Sequence, residues 1–196
     1  ALFIARLGTV AAASHQIAAN LAAVLYMMPL SLAIATSARV SWWLGARDER
    51  GARLALRTGF KLALLMAGGS AVGIALAHDG IARLYAGDNP QVVALAGPLL
   101  LWVALYHLAD ATQALCVFLL RSYGVAARPL LVYCVLLWGV GLGGGYLLAY
   151  EGLGSWPALR APAAFWSAGA LALALTAAVF TALLWRVVRL RRPVPA

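Results

Sequence analysis

The segment NPQVVALAGPLLLWVALYHLADATQALCVFLL, residues 89–120, is the most informative part of the sequence, because it is long enough to cross a lipid bilayer and contains a single charged residue, Asp110. A helix needs about 20 apolar residues to span roughly 30 Å of hydrocarbon. An ionisable group at such a depth is costly and is rarely kept without a use. We therefore expect a membrane-spanning helix here, and Asp110 is the first candidate for function.

The whole chain has the composition of an integral membrane protein. Of its 196 residues, 64% are hydrophobic and 11% are charged, and the mean hydropathy is +0.89. A soluble domain of this length could not bury so much apolar surface. The apolar runs are continuous rather than alternating, which favours helices over strands. The sequence predicts an all-α, polytopic membrane helix bundle.

Clusters of glycine, proline and arginine divide the chain into apolar runs. Complete spans are predicted at about residues 12–44, 55–77, 91–123, 130–150 and 163–185. Residues 1–7 are interpreted as the end of a partial helix, residues 78–90 as a polar outer connection and residues 186–196 as a basic tail. Five spans and a partial helix, with no initiator methionine or signal peptide, indicate a fragment.

The formal charge of +9 is concentrated at the ends of the spans. The larger groups of basic residues alternate with connections that hold only Arg83 and Arg160, so the positive-inside rule places these groups, and the C-terminus, in the cytoplasm. The expected location is the plasma (inner) membrane, with the lipid bilayer as a partner and no nucleic acid. Cys116 and Cys134 fall inside spans and are interpreted as small core residues.

Three polar residues of the third span share one helix face. Tyr106 lies four residues before Asp110, and Gln113 lies three residues after it. Arg121, eleven residues further along, places Asp110 about 16 Å deep. Desolvation favours the neutral carboxyl and a nearby cation favours the charged one. Asp110 is thus suited to exchange a proton or Na⁺, although it could instead be a structural acceptor satisfied by Tyr106 or by another helix.

Other polar residues of the spans leave two interpretations open. Gln16 and Asn20 share one face of the first span. They either line a substrate cavity with Asp110 or form hydrogen bonds between helices. His107 is either a proton relay or, with more support, a packed and hydrogen-bonded neighbour.

Enzyme motifs are missing from the sequence. It contains no HExxH, no paired intramembrane aspartates, no glycine-flanked nucleophilic serine within a span and no phosphate-binding glycine loop. We expect no enzymatic activity and no cofactor other than a coupling ion.

Several motifs resemble the multidrug and toxic compound extrusion (MATE) family. LGTVAAASHQIAANLAAVLYMMPLSLAIATSARVSWWLGARDERGAR, residues 7–53, resembles the region of its seventh and eighth helices. YHLADATQ, residues 106–113, with LLRSYG, residues 119–124, is similar to its tenth helix, and GYLLAYEGLG, residues 145–154, followed by FW resembles its eleventh and twelfth. The motifs occur in the family's order over nearly all of the chain.

The resemblance implies the second six-helix lobe of a twelve-helix transporter, truncated in its first helix. The N-terminal lobe would be the partner, and the two lobes would enclose a cavity that opens alternately to each side. In that family an acidic residue on the tenth helix, here Asp110, is implicated in cation coupling, with an aromatic residue at the position of Tyr106. Gln16 matches a polar position that faces the central cavity.

The chain departs from the family pattern at four places. The family's glutamate on helix seven would precede Ala1. WWLGARD, residues 42–48, replaces small residues, and RSYGVAARP, residues 121–129, lacks a charged turn. WPALRAPAA, residues 156–164, is an insertion that affects the outer loop more than the site.

Together these features predict a secondary antiporter that exports organic, cationic or amphiphilic compounds such as drugs in exchange for Na⁺ or H⁺. A flippase for lipid-linked oligosaccharides is the related alternative, but it should line its cavity with arginines, and we expect no arginine in the interior of the spans. A membrane scaffold without transport activity is the alternative from another class.

Overall fold

The computed structural model describes residues 2–190 and shows a bundle of helices. In this part of the chain, five helices are long and apolar enough to cross a membrane. The helices are α1 (Leu2–Ala5), α2 (Thr9–Gly45), α3 (Glu49–Ala86), α4 (Pro90–Ser122), α5 (Ala127–Glu151) and α6 (Ala163–Leu190). The prediction of an all-α membrane helix bundle is confirmed. Residues 191–196 of the predicted tail, with Arg191 and Arg192, lie outside the described residues, as does Ala1.

Helices α2 and α3 are longer than a bilayer requires. They contain 37 and 38 residues, or about 55 Å each at 1.5 Å per residue, against roughly 30 Å of hydrocarbon. A short turn joins them at the arginine-rich end. Asp48 caps α3 by accepting hydrogen bonds from the backbone N–H groups of Arg50 and Gly51, both at 2.9 Å.

The polar run 78–90 is mostly helical, which corrects the predicted outer connection. Helix α3 continues through this run to Ala86. Ala82 is fully buried in the apolar core shared by α2, α3 and α4, so tertiary packing outweighs the low helix propensity of Gly80. The turn is short, and Asn89 caps α4 by accepting from the Val92 N–H at 3.2 Å.

The apolar contacts form two cores, stacked along α4, which packs against α2, α3 and α6. The first core includes Val92 to Ala104 of α4 and lies near the end of the bundle opposite the arginine-rich one. The second includes Leu115 to Leu120 and lies near the arginine-rich end, where Phe180 of α6 contributes a fully buried ring. Asp110 falls in the interval between the two cores.

Helix α5 packs against α6 through glycines. A Cβ atom at Gly145 would lie 3.1 Å from the Phe165 Cα atom, and one at Gly141 would lie 3.3 Å from the Ala172 Cβ atom. The helix is widened to i→i+5 hydrogen bonding over Val135–Gly143, a form often found at functional sites. Because Gly141 and Gly145 have no side chain, the backbones of α5 and α6 approach closely, as the glycine-rich sequence predicts.

The cysteines differ in their surroundings. Cys116 is buried, as predicted, but Cys134 is exposed. The expectation of a core position for Cys134 is wrong because α5 lies at the periphery and contacts mainly α6.

Candidate functional site

Asp110 lies at the middle of α4, and 9% of its surface is exposed. The Gln113 side-chain amide donates a hydrogen bond to Asp110 Oδ1 at 3.0 Å. This contact follows from their spacing of three residues on one helix. Gln113, and not Tyr106, is therefore the donor to the Asp110 carboxylate. The amide oxygen of Gln113 remains available as an acceptor or as a ligand.

An open cavity of about 410 Å³ adjoins the Asp110 carboxylate. It is formed by four helices, and its wall combines one carboxylate with three tyrosines. The lining residues are His15, Ala19, Ala22, Ala23 and Tyr26 of α2, Tyr106, Asp110 and Gln113 of α4, Tyr133 of α5, and Trp166 of α6. Tyr106, Asp110 and Gln113 thus share this cavity.

The face of α2 that lines the cavity differs from the one that the sequence singles out. Gln16 and Asn20 are exposed and lie outside the lining. His15 and Tyr26 line it instead, eleven residues apart, with alanines between them. Eleven residues make about three helical turns, so His15 and Tyr26 lie on the same face of α2. The single-residue offset from Gln16 to His15 rotates the face by about 100°.

An aromatic group fixes one wall of the cavity. The Trp166 indole N–H donates to His15 Nδ1 at 3.2 Å. The Tyr106 ring meets the Trp166 ring edge to face, with centroids 5.5 Å apart. Because Nδ1 accepts, a neutral His15 holds its proton on Nε2. This network joins α2, α4 and α6 directly beside Asp110.

A second, smaller cavity of about 240 Å³ lies beside the first one. The two share His15 and Tyr106, and the smaller one is otherwise lined by apolar side chains and glycines, among them Phe3 and Phe165. The Tyr150 hydroxyl donates to the Phe3 carbonyl oxygen at 2.5 Å and so ties α5 to α1.

Two further residues bear on the sequence predictions. His107 is 2% exposed and lies outside the cavity lining. Within the described residues its Nε2 atom has no hydrogen-bond partner, so the expected packed position is present but the expected hydrogen bond at that atom is not. Arg39 lies within α2, contrary to the expectation of spans without arginine, but it is exposed six residues from the arginine-rich end of the helix.

The chemistry of the cavity suits cations. Hard cations prefer oxygen ligands, and the wall offers a carboxylate, an amide oxygen and three phenol oxygens. Organic cations are also attracted to the faces of aromatic rings. The described residues contain no group of three or more His, Cys, Asp or Glu side chains that could hold a metal ion, so a bound Na⁺ would depend on these neutral oxygens as well as on Asp110.

The sequence is similar to bacterial multidrug resistance proteins. It is 39% identical over 192 residues to the probable multidrug resistance protein NorM of Chromobacterium violaceum, covering 97% of this chain and 40% of that protein. It is 35% identical over 194 residues to the multidrug resistance protein MdtK of Proteus mirabilis, covering 96% and 41%. The chain therefore spans about two fifths of the length of these relatives.

A solved structure and a family profile agree with these relatives. The eukaryotic MATE transporter AtDTX14 superposes with a TM-score of 0.77, at 20% identity, over 92% of this chain and 40% of that structure. At that identity the likeness concerns the fold. The sequence profile of the MatE family matches residues 1–147. The chain is a multi-pass membrane protein and belongs to the MatE family.

Proposed function

We propose that the chain is the second six-helix lobe of a MATE antiporter that exports organic, cationic or amphiphilic compounds in exchange for Na⁺ or H⁺. The observation that carries this proposal is the position of Asp110, which lies between two apolar cores and beside an open cavity with tyrosine walls. The names of the NorM and MdtK relatives support multidrug export.

Coupling would arise from competition at Asp110. A substrate cation and the coupling ion both neutralise the same carboxylate, so binding of one disfavours binding of the other. The ion would also stabilise a conformation with low substrate affinity, and the ion gradient would then drive release outside. In this arrangement the carboxylate binds and exchanges, Gln113 orients it, and Tyr106 forms the adjoining wall.

The remaining site residues would act in the complete transporter. Gln16 and Asn20, exposed beside the cavity-lining face of α2, would line the part of the cavity that the N-terminal lobe encloses. The protein would lie in the inner membrane with the arginine-rich ends of its helices in the cytoplasm, as the positive-inside rule indicates.

The flippase alternative lacks support from the cavity. A flippase must neutralise lipid phosphates, which requires arginine or lysine side chains. The cavity lining in the described part of the chain contains neither.

The test is gradient-driven dye efflux by the full-length protein carrying Asp110→Asn. The matched control is Asp88→Asn, which removes the same charge from an exposed turn. We expect Asp110→Asn to reduce efflux to background at normal expression and Asp88→Asn to leave it unchanged. Efflux that persists in the Asp110→Asn variant contradicts the role of Asp110 in coupling. Absence of efflux by the wild type favours the alternative of a membrane scaffold without transport activity.

A further inference from the structure

A groove of about 580 Å³ lies at the arginine-rich end of the bundle, between the N-terminal part of α3 and the C-terminal part of α6. It shares no lining residue with the cavity beside Asp110, which we call the cation cavity. Its volume is within the range of roughly 300–1,000 Å³ found for small-molecule sites. Its lining residues are Arg53, Leu56, Arg57, Phe60, Thr181, Leu184, Trp185, Val188 and Arg189.

The groove is built by antiparallel helices in a defined register. The Arg53 guanidinium donates from Nη2 to the Val188 carbonyl oxygen at 3.4 Å, which sets these residues at the same level. Phe60 and Thr181 each lie seven residues from this level, in the direction of the bilayer centre. At 1.5 Å per residue the groove extends about 10 Å from its arginine level towards the hydrocarbon.

Charge and hydrophobicity are separated along the groove. Three arginines belong to its lining, and none of the lining residues in the described chain is acidic. Glu49 lies one turn before Arg53 on α3, outside the lining. The deeper wall is apolar, with Phe60 of α3 and Leu184 of α6. A ligand for this groove therefore needs a negative group at one end and an apolar segment at the other.

Arg189 is held in a position suited to phosphate. Its guanidinium carbon lies 3.3 Å from the centroid of the Trp185 ring. Stacking of this kind engages the flat face of the guanidinium, whereas its N–H donors point outward along its edge. Trp185 is 58% exposed, as is typical of a tryptophan at the level of lipid headgroups.

We propose that this groove binds an anionic phospholipid of the surrounding leaflet. The arginines would contact the phosphate and the negative headgroup, while one acyl chain would follow the apolar wall between α3 and α6. Basic pockets between membrane helices recognise anionic headgroups in this way. A soluble phosphate compound would satisfy the arginines but would leave the wall of Phe60, Leu56 and Leu184 in contact with lipid tails or water.

The test uses the full-length protein in nanodiscs and phospholipids with brominated acyl chains, which quench nearby tryptophans. The Trp185 signal is the difference between the wild type and Trp185→Phe. We expect brominated phosphatidylglycerol to quench Trp185 at a concentration at least about fivefold lower than brominated phosphatidylcholine. Equal midpoints for the two lipids contradict an anionic site. Absence of quenching at Trp185 shows that another segment of protein covers the groove and also contradicts the proposal.

The variant Arg57→Gln/Arg189→Gln removes two charges from the groove at exposed side chains. We expect this double variant to raise the concentration of brominated phosphatidylglycerol that gives half-maximal quenching, the midpoint, at least about tenfold. The reason is that each basic residue near an anionic headgroup contributes roughly fivefold in affinity. The matched control is Lys61→Gln/Arg186→Gln, which removes two exposed charges from the same helices outside the lining. Equal shifts in the two double variants contradict a specific site.

A final arm distinguishes a lipid from a free anion. Glycerophosphoglycerol carries the same headgroup without acyl chains. We expect it to displace brominated phosphatidylglycerol only at concentrations more than about a hundredfold higher, because it buries no apolar surface in the groove. Displacement at equal concentration identifies a soluble phosphate site instead. If the double variant does not fold, Arg57→Gln alone should still raise the midpoint by about threefold to fivefold, and no shift contradicts the proposal.

Discussion

The two polar sites of this bundle differ in depth and in sign. The cation cavity places one carboxylate, Asp110, between two apolar cores, whereas the arginine groove places three positive charges at the end of the bundle. A charge near the bilayer centre costs about 2.5–3.5 kcal/mol on insertion scales, while an arginine near the surface reaches water or headgroups at little cost. In our proposal, depth in the membrane, more than the number of charges, distinguishes the group that takes part in transport.

The largest effect expected beyond the loss of Asp110 itself comes from filling the cation cavity. Ala22→Phe places a ring between His15 and Tyr26 in a cavity of about 410 Å³. We expect dye efflux to fall at least about fivefold, because the added ring and the substrate would compete for the same space, and overpacking costs roughly 1–3 kcal/mol. The measurement is initial efflux rate in cells at matched expression.

The control for this variant is Ala13→Phe on the same helix. Ala13 is exposed and lies outside the cavity lining. We expect its efflux to remain within about twofold of the wild type, since substitutions at exposed positions usually have small effects. An equal loss of efflux in Ala22→Phe and Ala13→Phe would indicate that α2 tolerates no added bulk at any position. It would contradict a role of the cavity in substrate binding.

A smaller effect is expected from removing a tyrosine hydroxyl. Tyr26→Phe keeps the ring but deletes one oxygen from the wall beside Asp110. We expect a threefold to tenfold weaker apparent affinity for the coupling ion, which corresponds to about 0.7–1.4 kcal/mol, the worth of a typical hydrogen bond. Efflux measured as a function of ion concentration gives this affinity.

Tyr85→Phe is the matched control, because Tyr85 is exposed near the end of α3 and outside the cavity. An unchanged ion affinity in Tyr26→Phe, or an equal change in both variants, would exclude Tyr26 from the ion site. The same measurement on Tyr133→Phe asks whether α5 contributes an oxygen of its own.

The smallest effect on transport is expected at the arginine groove. Arg57→Gln/Arg189→Gln changes lipid binding in our proposal but leaves the carboxylate and its cavity intact. We expect dye efflux within about twofold of the wild type, because both arginines are exposed at the end of the bundle and neither lines the cavity beside Asp110. A loss comparable to that of Asp110→Asn would show that the two sites are coupled and would remove the contrast between them.

The sequence was most informative where contacts are local or where composition decides. The apolar runs predicted the membrane bundle, and the spacing of Asp110 and Gln113 predicted a shared face on which the structure records their hydrogen bond. The sequence does not predict the end of α3, because Ala82 is buried against α2 and α4, and the polar residues around it carry no sign of that contact.

The partners of Asp110 on other helices were not predicted. Tyr26 and Tyr133 reach the cavity only because α2 and α5 are rotated in a particular way against α4. In an almost uniformly apolar helix such as α2, hydrophobicity hardly distinguishes one face from another, so the sequence alone does not fix that rotation. The stripe His15, Ala19, Ala22 and Tyr26 becomes recognisable only after the packing is known.

Equilibrium binding shows whether one carboxylate, Asp110, serves both the coupling ion and the substrate. A fluorescent organic cation is titrated into the purified full-length protein at increasing Na⁺ concentration and at decreasing pH. We expect one of these ions to weaken dye binding by about tenfold when present at about ten times its own dissociation constant, and we expect Asp110→Asn to remove this dependence. Dye binding that responds equally to the ion in the wild type and in Asp110→Asn would contradict the account.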